Sequence, residues 1–296
     1  MSASETLANA ARRVDVLGVP MDLGADRRGV DMGPSAIRYA RLHERMRAQG
    51  VNEIIDRGNL VVPDRDLAKI DQGDPKYLGL IQSVCNVLAE FVEQSVKDGA
   101  FPLVLGGDHS IAIGTLAGLR RARGEAPGLI WFDAHADINS PKTSPSGNVH
   151  GMPVYYAVES GDMNPKRSVL IGLRDVDPGE KATIRELGIS AFTMTDIDRL
   201  GMEAVVARAL EIAGTGSVHV SFDMDAIDPS EAPGVGTPVK GGITYREAHL
   251  ALEEIAASGR IGSLEITEIN PILDSENRTA ILAVELILSA LGKTIL

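Results

Sequence analysis

At 296 residues the chain suits one large domain or two small ones, and it can bury a core without disulfides or metal staples. Its composition, 44% hydrophobic and only 4% aromatic, argues against disorder and against an aromatic stacking platform for nucleic acid. A net charge of -12 with scattered Lys and Arg disfavours phosphate backbones and anionic membranes as partners, and is compatible with a cationic substrate.

The opening "MSASETLANAARRVDVLGVP" lacks a basic segment followed by a long apolar core. No apolar run reaches the roughly 18 residues of a membrane span, so a cytoplasmic, soluble protein is expected. The runs "VDVLGVP", "FPLVLGG", "GLIWFDA", "SVLIGL", "SVHVSFD" and "IGSLEIT" each precede a helical pattern. Such alternation predicts βα units and a mostly parallel sheet with helices on both faces. "IQSVCNVLAEF" reads as an amphipathic helix that buries Cys85 as a small apolar residue. One cysteine excludes an intrachain disulfide and fits a reducing compartment.

Further along, Asp177 with Pro178 and Glu180 opens a helix that Gly188 stops. In "TDIDRLG", Thr195 or Asp196 is expected as an N-cap. A capping box of Thr244 and Glu247 opens "TYREAHLALEEIAASG", with Gly259 as its stop. His43 and His249 fall in helical patterns as surface or packing residues, and His219 sits mid-strand as a core histidine. Loops 139–153 and 228–243 directly follow strands; ligands of open α/β sheets bind there. No linker or internal repeat divides the chain, so residues 1–296 read as one domain.

Asp133, His135 and Asp137 occupy alternate positions of "WFDAHADINS", which places them on one face if strand geometry persists to Asp137. Asp223 and Asp225 repeat the alternation, and His109 follows a Gly pair that lets the backbone turn. Should these strand ends be neighbours, four carboxylates and two imidazoles converge. Such charge is not buried unpaired, and two divalent cations would neutralise it. Oxygen donors with imidazoles and no thiolate suit Mn2+, with Co2+, Ni2+, Fe2+ or Zn2+ open to the same ligands. His150, in "SGNVHGMP", places a titratable ring among small loop residues. Asp228 before Pro229 reads as a turn residue. No G-x-G-x-x-G follows a strand, and "LGKTIL" has Ile287 where a phosphate loop needs Gly.

"GGDHS", "DAHADIN", "SFDMDAIDP" and "EITEINP" resemble, in order and spacing, the metal-binding motifs of the ureohydrolases, and within that superfamily the bacterial-type arginases. The likeness runs from "LGVPMDLGADRRGVDMGPSAIR" nearly to the end. It implies a three-layer α/β/α sandwich with an eight-stranded parallel sheet, and two Mn2+ per subunit held by His109, Asp133, His135, Asp137, Asp223 and Asp225. Asp133 and Asp223 match the bridging carboxylates. It also implies cleavage of L-arginine to L-ornithine and urea by a metal-bridging hydroxide that Asp137 orients, with His150 as proton shuttle. Glu268 matches the guanidinium-binding carboxylate, with Thr237 in the same cleft. Asn139, Ser146 and Asp177 match the residues that hold the α-carboxylate and α-amino group. Asn148, Asp175 and Glu180 stand where further contacts are made. The resemblance further implies a homo-oligomer, hexamer or trimer, with Arg246 and Glu247 at a subunit contact.

The nearest rival is another ureohydrolase, such as an agmatinase or guanidinobutyrase. A two-metal phosphatase would need cations at the cleft, for which Lys142, Arg174 and Lys240 are the candidates in sequence. A non-enzymatic metal-binding protein would take up metal without turnover.

Overall fold

The computed structural model describes residues 13–66 and 75–294. Residues 1–12, most of the stretch read for a leader, lie outside it. All six expected strands form: β1 (Val14–Val19), β3 (Phe101–Gly106), β4 (Gly128–Phe132), β5 (Ser168–Leu173), β7 (Val218–Asp223) and β8 (Ile261–Thr267). Two more, β2 (Ile54–Asn59) and β6 (Ser190–Thr193), complete one parallel sheet of order β2-β1-β3-β8-β7-β4-β5-β6. Both of the unforeseen strands are edges and half exposed, so "IIDRGN" and "SAFT" lack the continuous apolar run that a doubly covered strand requires.

The central strands divide their side chains between two cores. Val16, Leu103, Leu105, Ile130, Phe132, Val220 and Leu264 face one helical layer. Leu17, Val19 and Val104, together with Leu129, Trp131 and Leu170, face the other. The first layer holds α1 (Gly33–Tyr39), α2 (Leu42–Ala48), α8 (Met202–Ile212), α9 (Tyr245–Ala257) and α10 (Arg278–Ala290). The second is built around α3 (Leu78–Lys97), α4 (Ala112–Arg123) and α5 (Pro153–Glu159), and Cys85 is buried in α3. The result is the expected α/β/α sandwich. Among the described residues no helix is long and apolar enough to cross a membrane.

Local capping signals hold at two of three helices. Asp177 and Glu180 form a capping box on α6 (Pro178–Leu187), which ends at left-handed Gly188; Thr244 and Glu247 do the same for α9. At α7 (Met194–Leu200) the cap is Thr193, and Asp196 is the third-position partner of that box. The helix starts earlier than "TDIDRLG" suggests because Thr193, at the end of β6, reaches the Asp196 amide.

Candidate metal centre

The expected metal donors converge, but not through strand pleating. β4 stops at Phe132, and Asp133 Oδ1 accepts a hydrogen bond from the His135 amide at 2.7 Å. Asp137 then takes a left-handed φ of 51°. β7 closes the same way: Asp223 Oδ1 accepts from the Asp225 amide at 2.7 Å and opens a short 3-10 turn. After β3, Asp108 Oδ1 accepts from the Ser110 amide at 3.0 Å. At each strand end an aspartate side chain replaces the lost ladder partner and curls the chain inward. Alternate residues meet because the backbone turns.

His109 Nδ1 lies 3.1 Å from Asp223 Oδ2 and 3.3 Å from the nearest oxygens of Asp133 and Asp137. His135 Nδ1 lies 3.1 Å from Asp225 and 3.4 Å from Asp133. Two ligand sets emerge, His109 with Asp133 and Asp137, and His135 with Asp133 and Asp225, so Asp133 belongs to both. Trp131 stacks on His109 with ring centroids 4.0 Å apart and donates Nε1–H to Asp133 Oδ2 at 2.9 Å.

The electrostatics of the cluster show a shortage of positive charge. Burial and the charge of Asp133 push Asp137 up to about 7, against the pull of His109. Burial, then neighbouring carboxylates, raise Asp223 and Asp225 as well. Burial opposes charge on His109, but hydrogen bonds to Asp133, Asp137 and Asp223 outweigh it and hold the ring protonated well above its ordinary range. Protons here stand where cations would. An oxygen-rich set with two imidazoles and no thiolate fits a pair of divalent ions.

The adjoining cavity, about 170 Å³, is lined by His135, Asp137, Asn139, Ser146, His150, Asp175, Asp177, Glu180, Asp223, Asp225 and Thr237. Asn139 Nδ2 donates to Asp177 Oδ2 at 2.9 Å, and Thr237 Oγ1 donates to Asp225 Oδ2 at 3.0 Å. Glu180 spends one oxygen on the Asp177 amide and the other on Ile138. A larger surface groove of about 900 Å³ runs past Tyr39, Arg45 and Ile281, far in sequence from every donor above. The donor chemistry selects the smaller cavity.

A model of the Arginase family matches residues 12–292. The arginase of Bacillus subtilis (strain 168) is 47% identical over 298 residues, covering 96% of this chain and 99% of that protein. The chain belongs to the arginase family. The native arginase of Bacillus caldovelox superposes with a TM-score of 0.90 at 47% identity, over 96% of this chain and 100% of that one. A hypothetical agmatinase from Burkholderia thailandensis superposes less closely, at a TM-score of 0.78 and 29% identity over 95% of this chain and 85% of that one.

Two further residues expected at the site are tied by hydrogen bonds into the surrounding structure. Asn148 is buried, and its Oδ1 accepts from Lys76 Nζ at 3.0 Å. Glu268 Oε1 accepts from the His109 amide at 2.9 Å and lies 3.2 Å from Nδ1 of His150, which lines the cavity. Burial opposes charge on His150, yet that contact raises it to about 9. Ser144, beside Ser146 in the cavity wall, went unremarked in sequence because serines crowd that loop. Arg174 is no phosphate clamp. Its guanidinium donates to the carbonyls of Gly172, Asp225, Ala226 and Val239 at 2.6 to 3.2 Å, tying the end of β5 to the loop after β7.

Proposed function

We propose that this arginase-family chain hydrolyses L-arginine to L-ornithine and urea with two Mn2+ ions. The observation that carries the reading is one cavity shared by the His/Asp cluster and the Asn139–Asp177 pair, a metal site beside a grip for an amino-acid head group. Close relatives named arginases support it.

His109 and Asp137 would hold one ion, His135 and Asp225 the other, with Asp133 and Asp223 shared. Bound there, the pair supplies Lewis acidity that brings a water's pKa down to roughly 7. The Asp177 carboxylate meets the α-ammonium group, while the Asn139 amide and Ser146 hydroxyl donate to the α-carboxylate. Asp137 orients the attacking water. His150 carries the proton that the leaving amine needs when the guanidinium C–N bond breaks, and its raised pKa keeps that proton in place at neutral pH. Glu268 holds His150 at its Nδ1 and supplies negative charge for the guanidinium end.

We further infer one domain in a cytoplasmic homohexamer or trimer. The single sheet supports the first; exposed Arg246 on α9 offers a contact for the second. The test of function is urea release after Mn2+ loading, arginine against agmatine. Agmatine lacks the carboxylate that Asn139 and Ser146 would meet, so arginine should lead by decades in kcat/KM. Equal rates would transfer the chain to the agmatinase reading.

A further inference from the structure

His109 is anchored from behind by a buried polar row between β7 and β8. The register pairs Ser221 with Glu265, and both are fully buried. His109 Nε2 lies 2.7 Å from Ser221 Oγ, which donates to Glu265 Oε1 at 2.7 Å. From α4, Thr115 Oγ1 donates to Glu265 Oε2 at 2.6 Å. A serine hydroxyl has one proton. Since Ser221 spends it on Glu265, its oxygen can only accept from His109, so Nε2 carries hydrogen and Nδ1 is the nitrogen that faces the carboxylate cluster, where a metal ion would replace its proton.

We propose that Glu265 is a positioning residue for the metal centre: through Ser221 it selects the Nε2–H form of His109 and presents Nδ1 as the ligand. This rests on the two-metal reading above. A carboxylate buried mid-sheet costs stability unless paired. Glu265 is offset by two hydroxyl donors and by His219 Nε2 at 3.4 Å, while His219 Nδ1 is itself held by Ser263 at 3.0 Å. Burial pushes Glu265 up, but the hydrogen bond and charge of His219 bring it below the ordinary carboxylate range, so it accepts and does not donate. One oxygen ties α4 to the strand through Thr115, and the other, through Ser221, suits a ligand that must present one particular nitrogen.

Glu265→Gln removes the charge at constant shape. Its amide has one carbonyl and one NH2 for two hydroxyls that both donate to Glu265, so one hydroxyl loses its acceptor, and with the NH2 set against Ser221 the Ser221 proton turns towards His109. Titration of metal-free protein with Mn2+ should show one of two sites weakened about 10- to 100-fold, the other unchanged, and a metal-free Tm no lower than wild type. Thr115→Val, which breaks only the contact on Oε2, should leave both affinities within about threefold of wild type. Unchanged Mn2+ binding in Glu265→Gln with a lowered metal-free Tm overturns the proposal, and so does an equal affinity loss in Thr115→Val. If Glu265→Gln does not fold, Ser221→Ala reads the same relay, and unchanged affinity there also overturns it. A wild-type protein that takes up no Mn2+ overturns the two-metal reading itself, a distinct result.

Discussion

Asn139 Nδ2 donates to Asp177 Oδ2 across 2.9 Å, joining the loop after β4 to the first turn of α6. Asp177 is at once the N-cap of that helix and a wall of the cavity. Asp177→Asn separates the roles, because asparagine caps a helix about as well while losing the charge for an ammonium group. Hydrogen bonds to charged groups contribute about 1.5–3 kcal/mol, so KM for arginine should rise about 10- to 100-fold with kcat within about threefold and Tm unchanged. A lower Tm at constant KM would reduce Asp177 to a cap.

His150→Asn keeps a polar side chain of similar reach but removes the proton carrier. Turnover should fall by one to three decades, as expected for loss of a general acid, with both metals retained. Full activity in steady-state assays would remove His150 from the reaction.

The same residue sets a pH dependence of the metal-free protein. Its pKa is raised from 6.5 to about 9 by Glu268 against the effect of burial. A raised histidine pKa means that the folded state holds the proton more tightly, so the stabilisation is full below pH 6.5 and is lost as pH climbs through about 9. The Tm advantage of metal-free wild type over His150→Asn should therefore be greatest near pH 6 and vanish near pH 10. An advantage that grows with pH contradicts the His150–Glu268 pair.

Asp223 sits 3.1 Å from His109 Nδ1 at the end of β7. Asp223→Ala deletes a shared donor, and elemental analysis after dialysis should find fewer than two Mn2+ per chain. A full complement would reject the shared role. Because burial and like charge raise Asp223, Asp225 and Asp137, stripping metal from wild type with a chelator should lower Tm at pH 8, where the cluster otherwise carries uncompensated charge.

Much of the fold was legible because a strand covered on both faces is apolar throughout, as in "LIWF" and "VLIGL". Edge strands β2 and β6 are half solvated and resemble loops, so they were silent. The Thr193 cap was missed because the helix signal in "TDIDRLG" begins after the true start. The contact of Asn148 with Lys76, seventy-odd positions away in sequence, was illegible because it depends on two distant loops meeting. Glu265 reads in sequence only as an acid inside an apolar run; its meaning comes from Ser221 on the neighbouring strand.

Residue chemistry and short-range pattern determined the donor types, the layered sandwich and the capped helices, since these depend on neighbours within a few positions. Tertiary structure alone decided that β8 and β7 insert between β3 and β4. That order lines up His109, Glu268, Asp223 and Asp133 along one sheet edge although they span positions 109 to 268. Strand order follows from which apolar faces pack best across long loops, an energy summed over the whole core and written in no single stretch of chain.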